Sequence, residues 1–131
     1  MDTTATKTMH IDFLHFEHQL WLNDVKFYID ELTIYQKLLE EIAGKNTSAD
    51  VRKHIEHFQN QFIIQREQMD LLKHDIREHE NWLSKFAAAH PVAIEHVAFA
   101  DHASLRDRIV TTKSIYVDLK TEFKHFLTQW M

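Results

Sequence analysis

Residues 9–43 read MHIDFLHFEHQLWLNDVKFYIDELTIYQKLLEEIA, and this stretch decides the fold. Apolar residues return along it at steps of three and four, and no glycine or proline interrupts them. That spacing predicts an α-helix with one apolar face, because 3.6 residues complete each turn. The predicted core face of this helix consists of Ile11, Leu14, Trp21, Val25, Leu32 and Leu39.

The rest of the chain repeats this pattern twice, on either side of two breaks. Gly44 suits the position just after a helix end, and Thr47 or Ser48 suits the cap of the next helix. The second break, at residues 87–91, contains the single proline of the chain. The predicted helices cover residues 9–43, 48–88 and 91–130. We expect one helical domain over residues 9–131, preceded by a flexible N-terminal tail at residues 1–8.

Three helices of similar length joined by short turns fold most simply as an antiparallel up-down-up bundle. The predicted fold is therefore all-α. One boundary has two interpretations, since residues 91–103 are either the start of the third helix or a packed loop. The loop interpretation depends on Ser104 and Asp107, which have the spacing of a capping box.

Composition excludes several classes of function. The net charge of −5 and the scattered Lys and Arg residues argue against nucleic acid. The absence of cysteine excludes disulfides, thiolate-bound zinc and thiol catalysis. No glycine-rich phosphate loop or nucleophile elbow occurs, so no catalytic residue is predicted. Without a membrane-spanning stretch or a signal-peptide pattern at the start, the expected location is the cytoplasm and no membrane partner is expected.

A second apolar stripe on the first helix predicts self-association. Its members recur at seven-residue spacing and lie well away from the core face: Phe13, Leu20, Phe27 and Ile34. A three-helix monomer has no core position for this stripe. We therefore expect it to be buried in a homodimer, giving a larger helical bundle.

Polar residues at the same seven-residue spacing lie between the two stripes. The file on the first helix is His10, Glu17, Asp24 and Glu31, and the file on the second is His54, Gln61, Gln68, Asp75 and Trp82. If the first turn is centred near Asn46, residue i of the first helix lies level with residue 92 − i of the second. The predicted pairs are Glu17–Asp75, Asp24–Gln68, Glu31–Gln61 and His10–Trp82.

The pair Glu17–Asp75 predicts either a metal site or an ion-pair network. Two facing carboxylates repel, so a shared proton, an arginine or a metal ion should neutralise them. A second turn centred at His90 would place residue j of the third helix level with residue 180 − j of the second. The candidate ligands for Fe, Mn or Zn are then Glu17, His18, Asp75, His79, Asp101 and His102. In the alternative network, Arg108 bridges the two acids and His79 bonds to Asp101.

Two functions follow from these patterns. The sequence favours a non-catalytic helical scaffold or interaction protein that self-associates, with the polar files fixing the register of the helices. The alternative is a small carboxylate–histidine protein that binds, stores or senses Fe, Mn or Zn. The eleven histidines do not decide between them, because most can lie on solvated helix faces.

Overall fold

The computed structural model describes the backbone of residues 3–89 and 95–131, and the side chains of residues 11–86, 88 and 100–131. Within these ranges there are three α-helices and no strand. The helices are α1 (Thr3–Lys45), α2 (Ala49–Ala89) and α3 (Glu95–Trp130). The all-α prediction with three long helices is confirmed.

The helix boundaries differ from the predicted ones at two places. The first helix begins at Thr3, inside the stretch predicted as a tail. The third helix is already formed at Glu95, so the alternative start near residues 101–104 is wrong. The predicted start at Pro91 lies outside the described residues.

Asn46, and not Gly44, ends the first helix. The backbone has no positive φ at Gly44, which remains helical. The side-chain amide and the backbone N–H of Asn46 both donate to the carbonyl oxygen of Ile42, at 2.9 and 3.1 Å. The carbonyl of Ser48 accepts from the backbone N–H of Arg52 at 3.2 Å, so Ser48 starts the second helix as predicted.

Contacts between the helices define their directions. Residues near the start of α1 contact residues near the end of α2, so these two helices are antiparallel. Residues near the start of α1 contact residues near the start of α3, and later residues of α1 contact later residues of α3, so these two helices are parallel. The contacts that show this are His18–His79, Thr33–Arg66, Glu17–His102 and Glu31–Tyr116. The helices therefore run up, down and up, with connections at both ends of the bundle.

The register between α1 and α2 is displaced from the predicted one. The rule 92 − i places His18 level with residue 74 and Thr33 level with residue 59, whereas their partners are His79 and Arg66. Part of the shift arises because residues 46–48 centre the turn one residue later than predicted. The remainder follows from side-chain direction, because side chains lean toward the N-terminus of their own helix and antiparallel helices therefore touch at later positions.

This displacement removes the predicted pairs Asp24–Gln68 and Glu31–Gln61, whereas the pair His10–Trp82 involves a side chain outside the described residues. Asp24 and Gln68 are both exposed. Glu31 accepts hydrogen bonds from the Tyr116 hydroxyl at 2.5 Å and from Lys120 Nζ at 2.8 Å, both on α3. Glu17 and Glu31 of the polar file thus bond to α3 instead of α2.

The core is apolar and aromatic, and one polar layer divides it. The core face predicted for α1 is buried except for Ile11, which is half-buried. A large cluster fills most of the bundle from Trp21 and Leu105 onward, while Leu14 and Leu83 form a smaller cluster near the other end. Three histidine side chains lie between these two clusters, and they form the candidate site.

Two surface properties of the helices bear on function. The predicted second stripe is exposed, with Phe13, Leu20, Phe27 and Ile34 each showing 46–57% of their surface to solvent. Among the described helices, none carries a run of residues that is both long and apolar enough to cross a membrane.

Candidate metal centre

Three histidines meet between the helices, and each helix contributes one of them. His18 and His102 are 0% and 1% exposed, and His79 is half-buried. The ring centroid of His18 lies 4.9 Å from that of His79 and 5.0 Å from that of His102. One ring nitrogen from each of the three lies within 4.8 Å of the other two. We call this group the histidine triad.

Ordinary helix periodicity places the triad inside the bundle. His18 lies four residues after Leu14 and three before Trp21, both of which are buried. The same spacing relates His79 to Ile76 and Leu83, and His102 lies three residues before Leu105. Because residues three and four apart share a helix face, each imidazole projects into the core.

Carboxylates fix the protonation of two triad rings. Glu80 accepts a hydrogen bond from Nδ1 of His18, and Glu17 accepts one from Nε2 of His102 at 2.9 Å. An ionised carboxylate only accepts, so the ring proton lies on the nitrogen that faces it. The other nitrogen of each neutral ring, Nε2 of His18 and Nδ1 of His102, then carries a lone pair.

Two nitrogens of the triad have no hydrogen-bond partner. These are Nδ1 of His102 and Nε2 of His79, and both atoms are buried. Nδ1 of His79 lies 2.9 Å from Nε2 of His18, and with the tautomer above it donates to that atom. Nε2 of His79 is therefore also a lone-pair acceptor that nothing in the described structure satisfies.

Burial favours the neutral form of His79 and His102. Desolvation lowers the pKa of His79, and the nearby His18 and His102 lower it further, while Asp101 and Glu80 oppose the change only in part. Desolvation is also the main reason that the pKa of His102 is lowered, despite its hydrogen bond to Glu17. Neutral imidazoles keep a free lone pair near neutral pH, which is the form that binds a metal ion.

The supporting carboxylates remain ionised. Burial alone would raise the pKa of Glu17, but hydrogen bonds from Arg106 and His102 outweigh it and the pKa is lowered. Burial of Glu80 is likewise outweighed, in this case by hydrogen bonds to His18 and His15. Two negative charges therefore lie directly behind two of the imidazoles.

Stacked tryptophans hold two of the rings. The indole of Trp21 stacks on His102 with centroids 4.6 Å apart and planes inclined by 29°. The indole of Trp82 stacks on His79 at 5.7 Å and 27°. These contacts restrict the rotation of both imidazoles about their side-chain bonds.

The structure separates the two acids that the sequence placed together. Glu17 bonds to His102 and Arg106, whereas Asp75 pairs with Arg108. The prediction that Glu17 and Asp75 face one another is wrong, because it depended on the displaced register. Arg108 neutralises Asp75 as the alternative network predicted, but it does not bridge to Glu17.

Asp101 also lies outside the triad. Its side chain is exposed, and the hydrogen bond predicted between Asp101 and His79 is replaced by the bond from His79 to His18. The prediction that residue 101 of the third helix lies level with His79 of the second is nevertheless correct within one residue. The ring centroid of His102, the next residue, lies 5.8 Å from that of His79.

Sequence reasoning missed Glu80, Arg106 and the supporting role of Trp21. Under the predicted register, Glu80 was level with residue 12 and therefore far from His18. One signal was present in the pair His15-x-x-His18, because both imidazoles share a helix face and both bond to Glu80. A pair of histidines on one face calls for a common partner, and the sequence alone does not show which acid supplies it.

An open cleft between α2 and α3 reaches the triad at His79. Its volume is about 410 Å³. The lining residues are Asp75, Glu78, His79, Trp82, Asp101, Ser104, Leu105 and Arg108. His79 is thus the triad member that borders solvent-filled space.

Comparison with known proteins adds no family assignment. No family model matches the chain, and neither the curated proteins nor the solved structures include a significant match. The function must therefore be argued from the site.

The triad has the donor set of a transition-metal site. In a tetrahedral site with metal–nitrogen bonds of about 2.05 Å, neighbouring ligand nitrogens lie roughly 3.3 Å apart. Nδ1 of His79 lies 2.9 Å from Nε2 of His18, and one nitrogen from each ring lies within 4.8 Å of the other two; for Nδ1 of His79 to bind the ion, its proton would have to move to Nε2. A separation of up to 4.8 Å exceeds this spacing, so binding would draw the ligand atoms closer together.

Proposed function

We propose that this protein is a metal-binding helical bundle that holds one divalent transition-metal ion at His18, His79 and His102. The observation that carries the proposal is a layer of three imidazoles inside the bundle, in which Nε2 of His79 and Nδ1 of His102 are buried without a hydrogen-bond partner. A metal ion would satisfy lone pairs that the protein leaves without a donor. This places the metal-binding alternative ahead of the scaffold that the sequence favoured.

The carboxylates behind the rings strengthen this proposal. Metal-binding histidines characteristically donate their second N–H to a carboxylate, which fixes the tautomer and makes the ligating nitrogen more basic. Glu80 has this position behind His18, and Glu17 has it behind His102. Nδ1 of His102 has no hydrogen-bond partner, and the other nitrogen of His18 bonds only to the triad member His79.

Three nitrogen donors favour Zn²⁺ or Fe²⁺. Imidazole suits these ions, whereas Mn²⁺ prefers sites richer in carboxylate oxygen. Asp101 remains our candidate for a further ligand, since it lines the cleft beside His79 and its charge acts on that ring. With Asp101 bound, the ion would be enclosed, as in a storage or sensing site. With water in its place, one position would stay exchangeable.

Metal stoichiometry and thermal unfolding test the proposal on protein purified without an affinity tag. We expect one Zn²⁺ or Fe²⁺ per chain, and loss of this binding in His79→Gln and in His102→Gln. Free Zn²⁺ at a hundred times its Kd should stabilise the wild type by about 2.7 kcal/mol. For a chain of this length, that corresponds to a rise in Tm of roughly 10 °C.

Exposed histidines supply the matched control. His74 and His125 lie on solvent-facing surfaces of α2 and α3. The variant His74→Gln/His125→Gln should bind the same amount of metal as the wild type. If it loses binding as His79→Gln does, the metal is held at the surface and the proposal is wrong. The proposal is also wrong if neither Zn²⁺ nor Fe²⁺ raises the Tm of the wild type.

We also propose that the protein self-associates through the exposed stripe of α1. The ion pairs Glu17–Arg106 and Glu31–Lys120 cross the groove between α1 and α3. The stripe residues Phe13 and Phe27 lie one turn from these acids, and Val110 and Val117 of α3 lie one turn from the paired cations. The stripe and the two exposed valines therefore flank a common groove.

The size of this surface supports a second copy of the chain as its partner. From their exposed fractions, the four stripe residues and the two valines present roughly 600 Å² per copy, the upper end of what monomers ordinarily expose. Two copies would bury roughly 1,200 Å² together, which reaches the range of stable interfaces. A two-fold axis midway between Leu20 and Phe27 would pair apolar residues with apolar residues along the whole stripe.

A further inference from the structure

A cleft between α2 and α3 opens one side of the histidine triad to solvent. On the side between α1 and α2, Glu80 accepts hydrogen bonds from His15 and His18 and lies between the triad and solvent. On the side between α1 and α3, Glu17 is held by His102 and Arg106. The remaining side, between α2 and α3, contains the 410 Å³ cleft that His79 lines.

The charges around the triad differ between these sides. On the α1–α3 side, Arg106 neutralises the charge of Glu17, so this pair has no net charge to attract a metal ion. The cleft instead carries the acids Asp75, Glu78 and Asp101 against the single cation Arg108. Its formal charge is therefore −2. A concave surface of one sign attracts counter-ions and raises their rate of association.

His79 is suited to make the first contact with an arriving ion. It is the triad member with an exposed part, and its Nε2 has no hydrogen-bond partner. Its Nδ1 donates a hydrogen bond to Nε2 of His18, so a small movement of the ring would free the lone pair of His18. His18 and His102, by contrast, are completely enclosed.

We infer that the acidic cleft between α2 and α3 is the route by which a divalent cation reaches the triad, with His79 as the receiving ligand. This inference rests on the proposed metal site and adds how that site is loaded. The acids Glu78 and Asp101 draw the ion into the cleft. The ion pair between Asp75 and Arg108 sets the strength of this attraction, because Arg108 cancels part of the negative charge.

Stopped-flow fluorescence with Co²⁺ alone measures the route directly. Trp82 stacks on His79 and Trp21 stacks on His102, so bound Co²⁺ should quench both indoles. In Glu78→Gln/Asp101→Asn the cleft has no net charge, and we expect the association rate constant to fall about tenfold in low salt. Near 1 M salt the difference from the wild type should vanish, because the charges are screened within about 3 Å.

Two further variants make the result specific. Arg108→Gln leaves all three cleft acids in place and should raise the association rate constant about threefold. The control Glu56→Gln/Asp118→Asn removes the same net charge from exposed positions, and Asp118 lies about 15 Å along α3 from Arg108. This control should load Co²⁺ at nearly the wild-type rate.

The outcomes separate the route from the site. If Co²⁺ binds the wild type and all variants load it at one rate, the cleft is not the route, while the proposed metal site stands. If the control slows loading as much as the cleft variant, only overall charge matters and the route is again wrong. If the wild type binds no Co²⁺, Zn²⁺ or Fe²⁺, the proposed function and the route both fail.

Discussion

Glu80 gives the most specific prediction about the candidate metal centre, because His18 is the one triad histidine to which it is hydrogen-bonded. Glu80→Gln keeps the length and shape of the side chain. The amide oxygen can still accept from Nδ1 of His18, so the ring keeps its orientation and tautomer. The variant removes the negative charge behind the ring, and we expect the affinity for Zn²⁺ to fall.

The size of this loss can be worked from the geometry. With Nε2 of His18 as the ligand atom, the carboxylate lies across the ring from the ion, roughly 7 Å away when standard bond lengths are used. A charge of −1 and an ion of +2 at that distance attract by about 1.2 kcal/mol in water and about 2.4 kcal/mol at half that dielectric constant. Glu80 is about one-third exposed, so the true value lies between these limits. We therefore expect Kd to rise about 8- to 60-fold, which overlaps the 10- to 100-fold range for partners behind metal ligands.

A competition titration against a chromophoric chelator at pH 7.5 measures this change. Glu67→Gln is the matched control, because Glu67 is an exposed acid on the same helix. It should leave Kd within about twofold of the wild type, since exposed charges a Debye length away are largely screened. Equal affinities for Glu80→Gln and wild type would refute the reasoning, because the carboxylate would then have no influence on the ion.

The remaining predictions concern stability and assembly. Because the pKa values of His79 and His102 are lowered, the unfolded chain binds their protons more readily. The metal-free protein should therefore lose stability as the pH falls below 6.5, the ordinary value of these groups, as followed by urea unfolding at pH 7.5, 6.5 and 5.5. Phe27→Glu should give a monomer in analytical ultracentrifugation with an unchanged Tm, and a wild type that is monomeric at high concentration would contradict the proposed interface. Tyr116→Phe should lower the free energy of unfolding by about 1–2 kcal/mol, more than Tyr28→Phe, since Tyr116 donates from the core to Glu31. Replacing all three triad histidines by leucine should stabilise the metal-free protein and abolish the rise in Tm with Zn²⁺.

The fold was predictable because each of its determinants is local. A three- and four-residue apolar spacing over long stretches defines the helices and their buried faces, and short connections require neighbouring helices to be antiparallel. The triad histidines lie on those faces, and the register between α2 and α3 agrees with the predicted one within a few residues. His79 and His102 could therefore be placed in one neighbourhood from the sequence.

The register between α1 and α2 could not be predicted in the same way. The spacing of apolar residues is close to a seven-residue repeat, so a slide of five to seven residues leaves nearly the same faces buried. That slide decides whether His18 meets residue 74 or His79. The sequence consequently selected the acids Glu17 and Asp75 as the centre of the site, and it missed Glu80. The lengths of the contacting side chains and the position of the turn determine which residues of α1 and α2 lie side by side. The periodicity of apolar residues specifies neither of them.

The histidine layer lowers the stability of the metal-free fold, and this cost in free energy is the strongest reason to infer that the layer binds a metal ion. Each buried nitrogen without a partner costs about 1–3 kcal/mol, and the triad contains two such atoms. A polar residue that only fixes register in a helical bundle occurs singly and has its hydrogen bonds satisfied. Leucines at these positions would join the two apolar clusters into one core and remove both unsatisfied nitrogens.

The triple leucine variant therefore separates the two functions that the sequence left open. If His18, His79 and His102 serve a metal ion, the variant should unfold at a higher urea concentration than the metal-free wild type, with the same cooperativity, and it should ignore Zn²⁺. If the layer serves a scaffold by fixing register, the variant should instead unfold with a smaller m-value or populate several associated states, because the seven-residue repeat allows the helices to slide. If the triple leucine variant unfolds cooperatively at a higher urea concentration and Zn²⁺ no longer raises its Tm, the three histidines are present because they bind a metal ion.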